Sequence, residues 1–323
     1  MPNHFERVYY GVKGVVHNKL HFDPFEHKMC KNYAGVPIID PNAMNRAIRE
    51  GIISGKPFMV GRFGGFEVLA MRSAEFNEQD KMKEAIDFLD KSAGFFPKDE
   101  KLLHRFNDVM KSACADVDYL GCWLVNYEDY YIKKYCNSII NVGKLMSIEP
   151  WNVMDAPWTA ALRGKKVLVI HPFEQTIKGQ YAKHDKLFAN PDVLPEFTLR
   201  TLKAVQTSGS AADDRFETWF DALDYMCREC EKIDFDVALI GCGAYGFPLA
   251  AHIKRMGKQA VHLGGVLQIL FGIKGRRWDE SDTHLMYNEN WVYPDKSEIP
   301  VGAEKVENAC YWEVKKEDKN GDK

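Results

Sequence analysis

The sequence lacks most of the features that mark specialised protein classes. Its 323 residues carry 43 Lys and Arg against 46 Asp and Glu, a net charge of −3 with the two signs intermixed. The basic footprint of a nucleic-acid surface is therefore missing. No apolar run is long enough for a bilayer: residues 260–273, the least polar stretch, number 14 and are interrupted by His262, Gln268 and glycines. The opening MPNHFERVYY has none of the charged, apolar and small-residue zones of a secretory signal, so a cytoplasmic protein is expected. The 8 cysteines are scattered and form no disulfide framework. Cys227 and Cys230 have CxxC spacing, but no second pair completes a zinc site. Both extend the apolar stripe of Phe216, Trp219, Phe220, Leu223 and Met226, which reads as burial. No repeat and no Gly/Ser- or Pro-rich linker divides the chain.

What is present is ample core and alternating pattern. With 46% hydrophobic residues the chain can build one large α/β domain. Residues 1–38 are aromatic and basic without a clear period and read as an irregular lead-in. Residues 39–314 read as the single domain, and Lys315 onward as a disordered, solvated tail. Asp40-Pro41 is an N-cap followed by proline at N1, opening a helix that ends near Gly51 or Gly55. Amphipathic patterns predict helices over 79–91 and 99–114, inside a helical insertion spanning about 79–136. Apolar runs at 57–63, 119–125, 167–170, 199–205 and 237–240 predict strands, and their alternation with helices predicts a mostly parallel sheet covered on both faces.

The most informative stretch is DVALIGCGAYGFPLAAHIKRMGKQAVHLGG, residues 236–265. A strand meets the spaced glycines Gly241, Gly243 and Gly246, a helix follows, and a second strand leads to Gly264. In such units the N–H groups of a turn and helix start face an anion; the plain alternative is that the glycines permit tight packing. An NAD site is not expected. The unit begins about three quarters of the way along the chain, and its second strand ends in His262-Leu263-Gly264-Gly265, with no acid for a ribose.

Two further segments end at predicted strand ends. In Gly61-Arg62-Phe63-Gly64-Gly65-Phe66-Glu67, Gly64 and Gly65 let backbone approach a ligand, and Arg62 offers a guanidinium fork for phosphate or carboxylate. Glu67 either accepts a proton, binds a cation or complements the helix dipole. In His171-Pro172-Phe173-Glu174, the imidazole of His171 faces a cleft or is a satisfied core group, and Glu174 lies on the polar side of the next helix. Arg276 and Arg277 belong to a short basic, glycine-hinged run that either folds over a diphosphate or is a solvated turn.

These segments, together with NENWVYPDKSEIPVGAEKVENACYW near the end, resemble the GT-D-fold glycosyltransferases, a bacterial family first described as a domain of unknown function. The resemblance spans residues 56 to about 312. It implies a Rossmann-like sheet and transfer of a sugar from a nucleotide-sugar donor to a glycan or other hydroxyl acceptor, as in polysaccharide or glycoconjugate assembly. The family's first motif is Arg, Phe-Gly, then an Asp-x-Glu pair used with Mn²⁺ or Mg²⁺. Arg62, Phe63, Gly64 and Glu67 match it, while Gly65 stands where the aspartate is expected, leaving Glu67 as the one candidate metal ligand. The candidates for the acceptor's base are Glu67, Glu174 and His171. Arg62, Gly64, Gly65, Gly241, Gly243, Gly246, Gly264, Arg276 and Arg277 are candidates for the donor. The competing functions are a non-catalytic nucleotide or sugar-phosphate binding protein and a Rossmann-type oxidoreductase.

Overall fold

A computed structural model describes residues 4–20, 22–153, 155–210 and 213–313; the tail expected from Lys315 lies outside them. The chain opens with α1 (His4–Leu20) and a two-residue hairpin, β1 (Asn32–Tyr33) and β2 (Val36–Pro37). The lead-in is therefore ordered, contrary to the sequence expectation. The helical period is present in Phe5, Val8, Tyr9 and Val12, but this stripe faces outward and the helix is held by ion pairs, as described below. Helix α2 (Pro41–Ser54) follows, with Asp40 accepting from the Ala43 N–H and left-handed Gly55 closing it. These caps are the ones the sequence displays.

The core sheet starts with β3 (Phe58–Arg62), followed by α3 (Gly65–Glu75), α4 (Gln79–Ala93), α5 (Glu100–Cys114), β4 (Tyr119–Cys122), α6 (Glu128–Tyr135) and β5 (Asn141–Lys144). The span 79–136 is thus not a purely helical insertion, because β4 is a member of the sheet. The second half runs β6 (Lys166–His171), α7 (Glu174–Tyr181), β7 (Thr198–Lys203), α8 (Trp219–Glu231), β8 (Val237–Ile240), α9 (Gly246–Arg255), β9 (Gln259–His262), α10 (Leu267–Leu270) and α11 (Arg276–Asp279).

Seven strands form one sheet in the order β5-β4-β3-β9-β8-β6-β7, and every pairing is parallel. Period-two alternation divides the core. Met59, Leu168, Ile170, Ala238 and Ile240 point to one layer with α3, α5, α8 and α9. Val60, Val167, Val169, Leu239 and Val261 point to the other, with α2, α7 and α10. Burial on both faces explains why these strands read as unbroken apolar runs. Among the described residues no helix is long and apolar enough to cross a membrane.

The strand order creates a place for a ligand. From β3 the chain leaves toward β4 and β5, whereas from β6 it leaves the other way, to β7. Divergent connections leave a crevice beyond the carboxyl ends of the strands between them.

Candidate functional site

That crevice is a cleft of about 540 Å³. Arg62, Gly64, Gly65 and Glu67 reach it from β3, His171 from β6, Gly241 and Gly243 from β8, Gly264 from β9 and Arg277 from α11. Residues separated by more than two hundred positions are thus brought to one wall, as the sequence expectation requires.

Arg62 closes β3. Its guanidinium stacks on the Trp123 ring at 4.5 Å, and Nη1 lies 3.4 Å from the Leu263 carbonyl. The stack orients the fork while leaving donors for a ligand. Glu67 lies in the first turn of α3, half-buried, with its carboxylate folded back over Gly64. Burial raises its pKa; its own backbone N–H and Arg62 oppose that, and Glu307 reinforces it. The carboxyl therefore holds its proton to higher pH than an ordinary glutamate.

At Gly65 a Cβ would meet only Val125 Cγ1 at 3.9 Å. Nothing steric excludes the aspartate that the resemblance implies; this chain simply lacks it. No three His, Cys, Asp or Glu side chains are grouped to hold a metal ion among the described residues. Of the two carboxylates in the cleft, Glu67 stands beside Arg62 and Glu307 is ion-paired with Arg277, a poor donor set for Mg²⁺ or Mn²⁺, which need several oxygen ligands.

His171 is buried, and its Nδ1 accepts a hydrogen bond from the Phe173 N–H at 3.0 Å. A backbone N–H can only donate, so the neutral ring carries its proton on Nε2. Burial pushes its pKa down to about 3. His171 is thus a hydrogen-bond donor at neutral pH, and the expectation of a general base at this position does not fit its tautomer.

Two polar side chains of the cleft escaped the sequence reading. His262 is 5% exposed, and neither ring nitrogen has a hydrogen-bond partner. Burial, then the nearby Arg62 charge, pushes its pKa down to about 3, opposed by the Arg62 backbone, which stays beyond hydrogen-bond reach of either nitrogen. Gln268 is fully buried; its Nε2 donates to backbone carbonyls, including that of Lys274 at 2.9 Å, while its Oε1 is unpartnered. Both lie in a stretch that reads as strand and apolar helix. The only sequence signal was a polar residue interrupting an apolar run.

The glycines divide by role. Gly243 (φ +57°) and Gly264 (φ +67°) adopt the left-handed backbone that favours glycine, with a Cβ on Gly243 only 3.0 Å from the Ala93 carbonyl oxygen. At Gly241 a Cβ would lie 2.6 Å from the Gly264 carbonyl oxygen and 2.9 Å from His171. Gly246 does not reach the cleft; it is buried, and a Cβ there would strike the His262 ring. Its role is the packing alternative.

Sequence comparison finds no matching family model and no matching curated protein. Two solved structures are similar. One is described as "The highly conserved domain of unknown function 1792 has a distinct glycosyltransferase fold", at 15% identity and a TM-score of 0.43. The other is the "Selenomethionine substituted structure of domain of unknown function 1792", at 14% and 0.44. Each match covers 82% of this chain and 93% of the other. The fold assignment rests on this chain's own sheet order and register.

Two other expected residues lie apart from the cleft wall. Glu174 accepts from Thr201 Oγ1 at 2.6 Å and pairs with Lys178 at 2.9 Å, while the N-terminus of α7 is capped by Glu298 through Gln175 N (2.7 Å) and Thr176 N (3.2 Å). It is occupied as a surface ion pair, not as a base. Arg276 reaches Glu280 and, at 2.8 Å, the Glu307 carbonyl, so it fastens the C-terminal segment. Arg277 does face the cleft, ion-paired with Glu307 and 5.1 Å from the Tyr311 ring.

Proposed function

We propose that the chain is a glycosyltransferase that binds a nucleotide-sugar donor in this cleft and transfers the glycosyl group to a hydroxyl acceptor. The observation that carries the reading is the convergence of Arg62, His171 and the glycine-led start of α3 on one cavity. These are three different donors to a diphosphate, in a cavity of the usual size for a small-molecule ligand. The bond between the anomeric carbon and the phosphate oxygen breaks, its electron pair leaving on the diphosphate. The acceptor oxygen bonds to that carbon, and its proton passes to Glu67. A carboxyl with a raised proton affinity is the better base, provided the pH keeps it ionised. Charge on the leaving group is met by Arg62 and Arg277 and by the His171 donor, with no step routed through a metal. Activity should accordingly fall as the pH drops through the raised Glu67 pKa.

The test is binding and turnover with a panel of nucleotide sugars. Glu67→Gln should keep donor affinity and lose turnover by about a hundredfold or more. Arg62→Ala should weaken donor binding by about tenfold, the size of a lost charge-assisted hydrogen bond. Wild-type rates within a factor of about two for both variants would remove the assigned roles. Gly65 favours a second reading, a nucleotide-binding protein without turnover. Tight nucleotide binding with no transfer or donor hydrolysis, with or without added divalent cation, would establish it instead.

A further inference from the structure

Helix α1 is mounted with its apolar side outward. Arg7 pairs with Glu78 at 3.0 Å, Lys13 with Asp129, and Glu6 with Lys134 at 3.2 Å. Among the described side chains, Tyr10 supplies the inward aromatic anchor, its ring 5.1 Å from that of Tyr130. Phe5, Val8, Tyr9 and Val12 are left 74%, 48%, 50% and 57% exposed. With Leu20 and the β1–β2 hairpin they line an apolar groove of about 670 Å³. A surface helix ordinarily buries its apolar stripe, and a contiguous exposed one marks an interaction site.

The charges around this face identify its occupant. Every acid of residues 4–38 is neutralised by the body of the protein: Glu6 by Lys134, and Asp23 and Glu26 by Lys144. Lys19, Lys28 and Lys31 are exposed and have no ion-pair partner among the described residues. Their chain neighbours Leu20 and Asn32 line the groove, and Met29 is 83% exposed. An apolar face with uncompensated lysines matches a bilayer interface, where apolar groups enter the acyl boundary and cations meet anionic headgroups. A second copy seated on the same face would gather two sets of uncompensated lysines into one interface with no acid of this segment free to meet them.

We propose that α1 and the hairpin form a docking face for an anionic lipid surface, holding the protein peripherally on a membrane. The face adjoins the cleft through a short chain of contacts. Tyr33, in the groove, donates to Glu128 at 3.4 Å, and the Glu128 carboxylate accepts from the N–H groups of Trp123 (3.0 Å) and Leu124 (2.8 Å). Trp123 is the residue stacked on Arg62. An acceptor displayed at a membrane surface would thus meet the cleft from the side on which the protein is anchored. The inference holds whatever the cleft binds.

The experiment is co-sedimentation of the full chain with phosphatidylcholine vesicles and with vesicles containing phosphatidylglycerol. Binding is expected to the anionic vesicles only, to weaken as salt is raised, and to drop at least about tenfold in Lys19→Gln/Lys28→Gln/Lys31→Gln, given the contribution of each basic residue near an anionic surface. Val8→Asp/Val12→Asp, at two exposed positions, should abolish it with an unchanged thermal melt. Equal binding to neutral vesicles, or none to either, overturns the proposal. So does a concentration-dependent dimer that the Val8→Asp/Val12→Asp variant dissolves, which would make the face a protein interface.

Discussion

At the scale of single residues, the informative side chains are those whose bonding is incomplete. His262 is buried with both nitrogens unpartnered, an arrangement that costs stability unless a ligand completes it. His262→Leu should therefore hold or raise the melting temperature while nucleotide affinity falls, measured by thermal melts and calorimetric titration. A loss of stability without change in affinity would mark His262 as ordinary core. Glycines allow a second contrast. Gly65→Ala has room and a helical position, so its melt should stay within the small range of surface substitutions. Gly243→Ala must place a Cβ in a left-handed residue and tight against Ala93, costing about 2 kcal/mol, read from chemical denaturation.

At the scale of elements, the turn between β4 and α6 shows how a wall of the cleft is held. Leu124 (φ +61°) and Tyr127 (φ +73°) both take left-handed backbone without being glycine. That conformation is stabilised by Glu128, which accepts from two consecutive N–H groups inside the fold. Glu128→Ala leaves both N–H groups unpaired and should cost about 2–4 kcal/mol. It should also weaken donor binding by releasing Trp123 from Arg62. A variant as stable as wild type, or one whose affinity is untouched, would show that the turn is held by other means.

Elements with a single-minded pattern were legible from the sequence. The unbroken apolar runs of β6 and β8 read as buried strands, and Asp40-Pro41 marked the start of α2 by cap chemistry, while its end, left between Gly51 and Gly55, falls at Gly55. The segments at the ends of β3, β6 and β8 met as expected, because a parallel sheet sends every carboxyl end to one edge. Illegible were the features whose logic is long-range. The outward face of α1 depends on Glu78 and Asp129, far along the chain. Glu174 had the position of a base, but its partner Thr201 lies on β7, 27 residues along the chain. The tautomer of His171 is decided by the backbone N–H two residues later, which no composition rule reveals.

At the scale of the whole molecule, opposed buried groups shape stability against pH. Burial pushes Glu128 and Glu149 up from 4.5 to about 7, and His171 and His262 down from 6.5 to about 3. The carboxyls bind more protons when folded, so their contribution is greatest below about 4.5 and declines as pH rises to about 7. The histidines bind fewer, so theirs is complete above about 6.5 and declines as pH falls toward about 3. The slopes offset between about 4.5 and 6.5, and only the histidine loss continues below. Melting temperature should be nearly level across that window and drop steeply beneath it. Glu128→Gln should tilt the window so that the melt falls as pH is lowered across it, whereas His262→Leu should tilt it the opposite way and lessen the drop beneath it. Parallel shifts with no change of slope would refute the assignment.

The position of β3 also has a consequence for the order in which the protein can be made. This strand is the first of the sheet to leave the ribosome, yet it lies in its interior, paired on one side with β9 through Phe58↔Gln259 and Val60↔Val261. Some two hundred residues must emerge before that side is covered. Until then Met59 and Val60 sit on an open edge whose backbone groups are satisfied only by water or by a neighbour on another nascent chain. Such non-local pairing slows folding and lengthens exposure to aggregation. The last strand of the sheet to be made is therefore the one that seals the first.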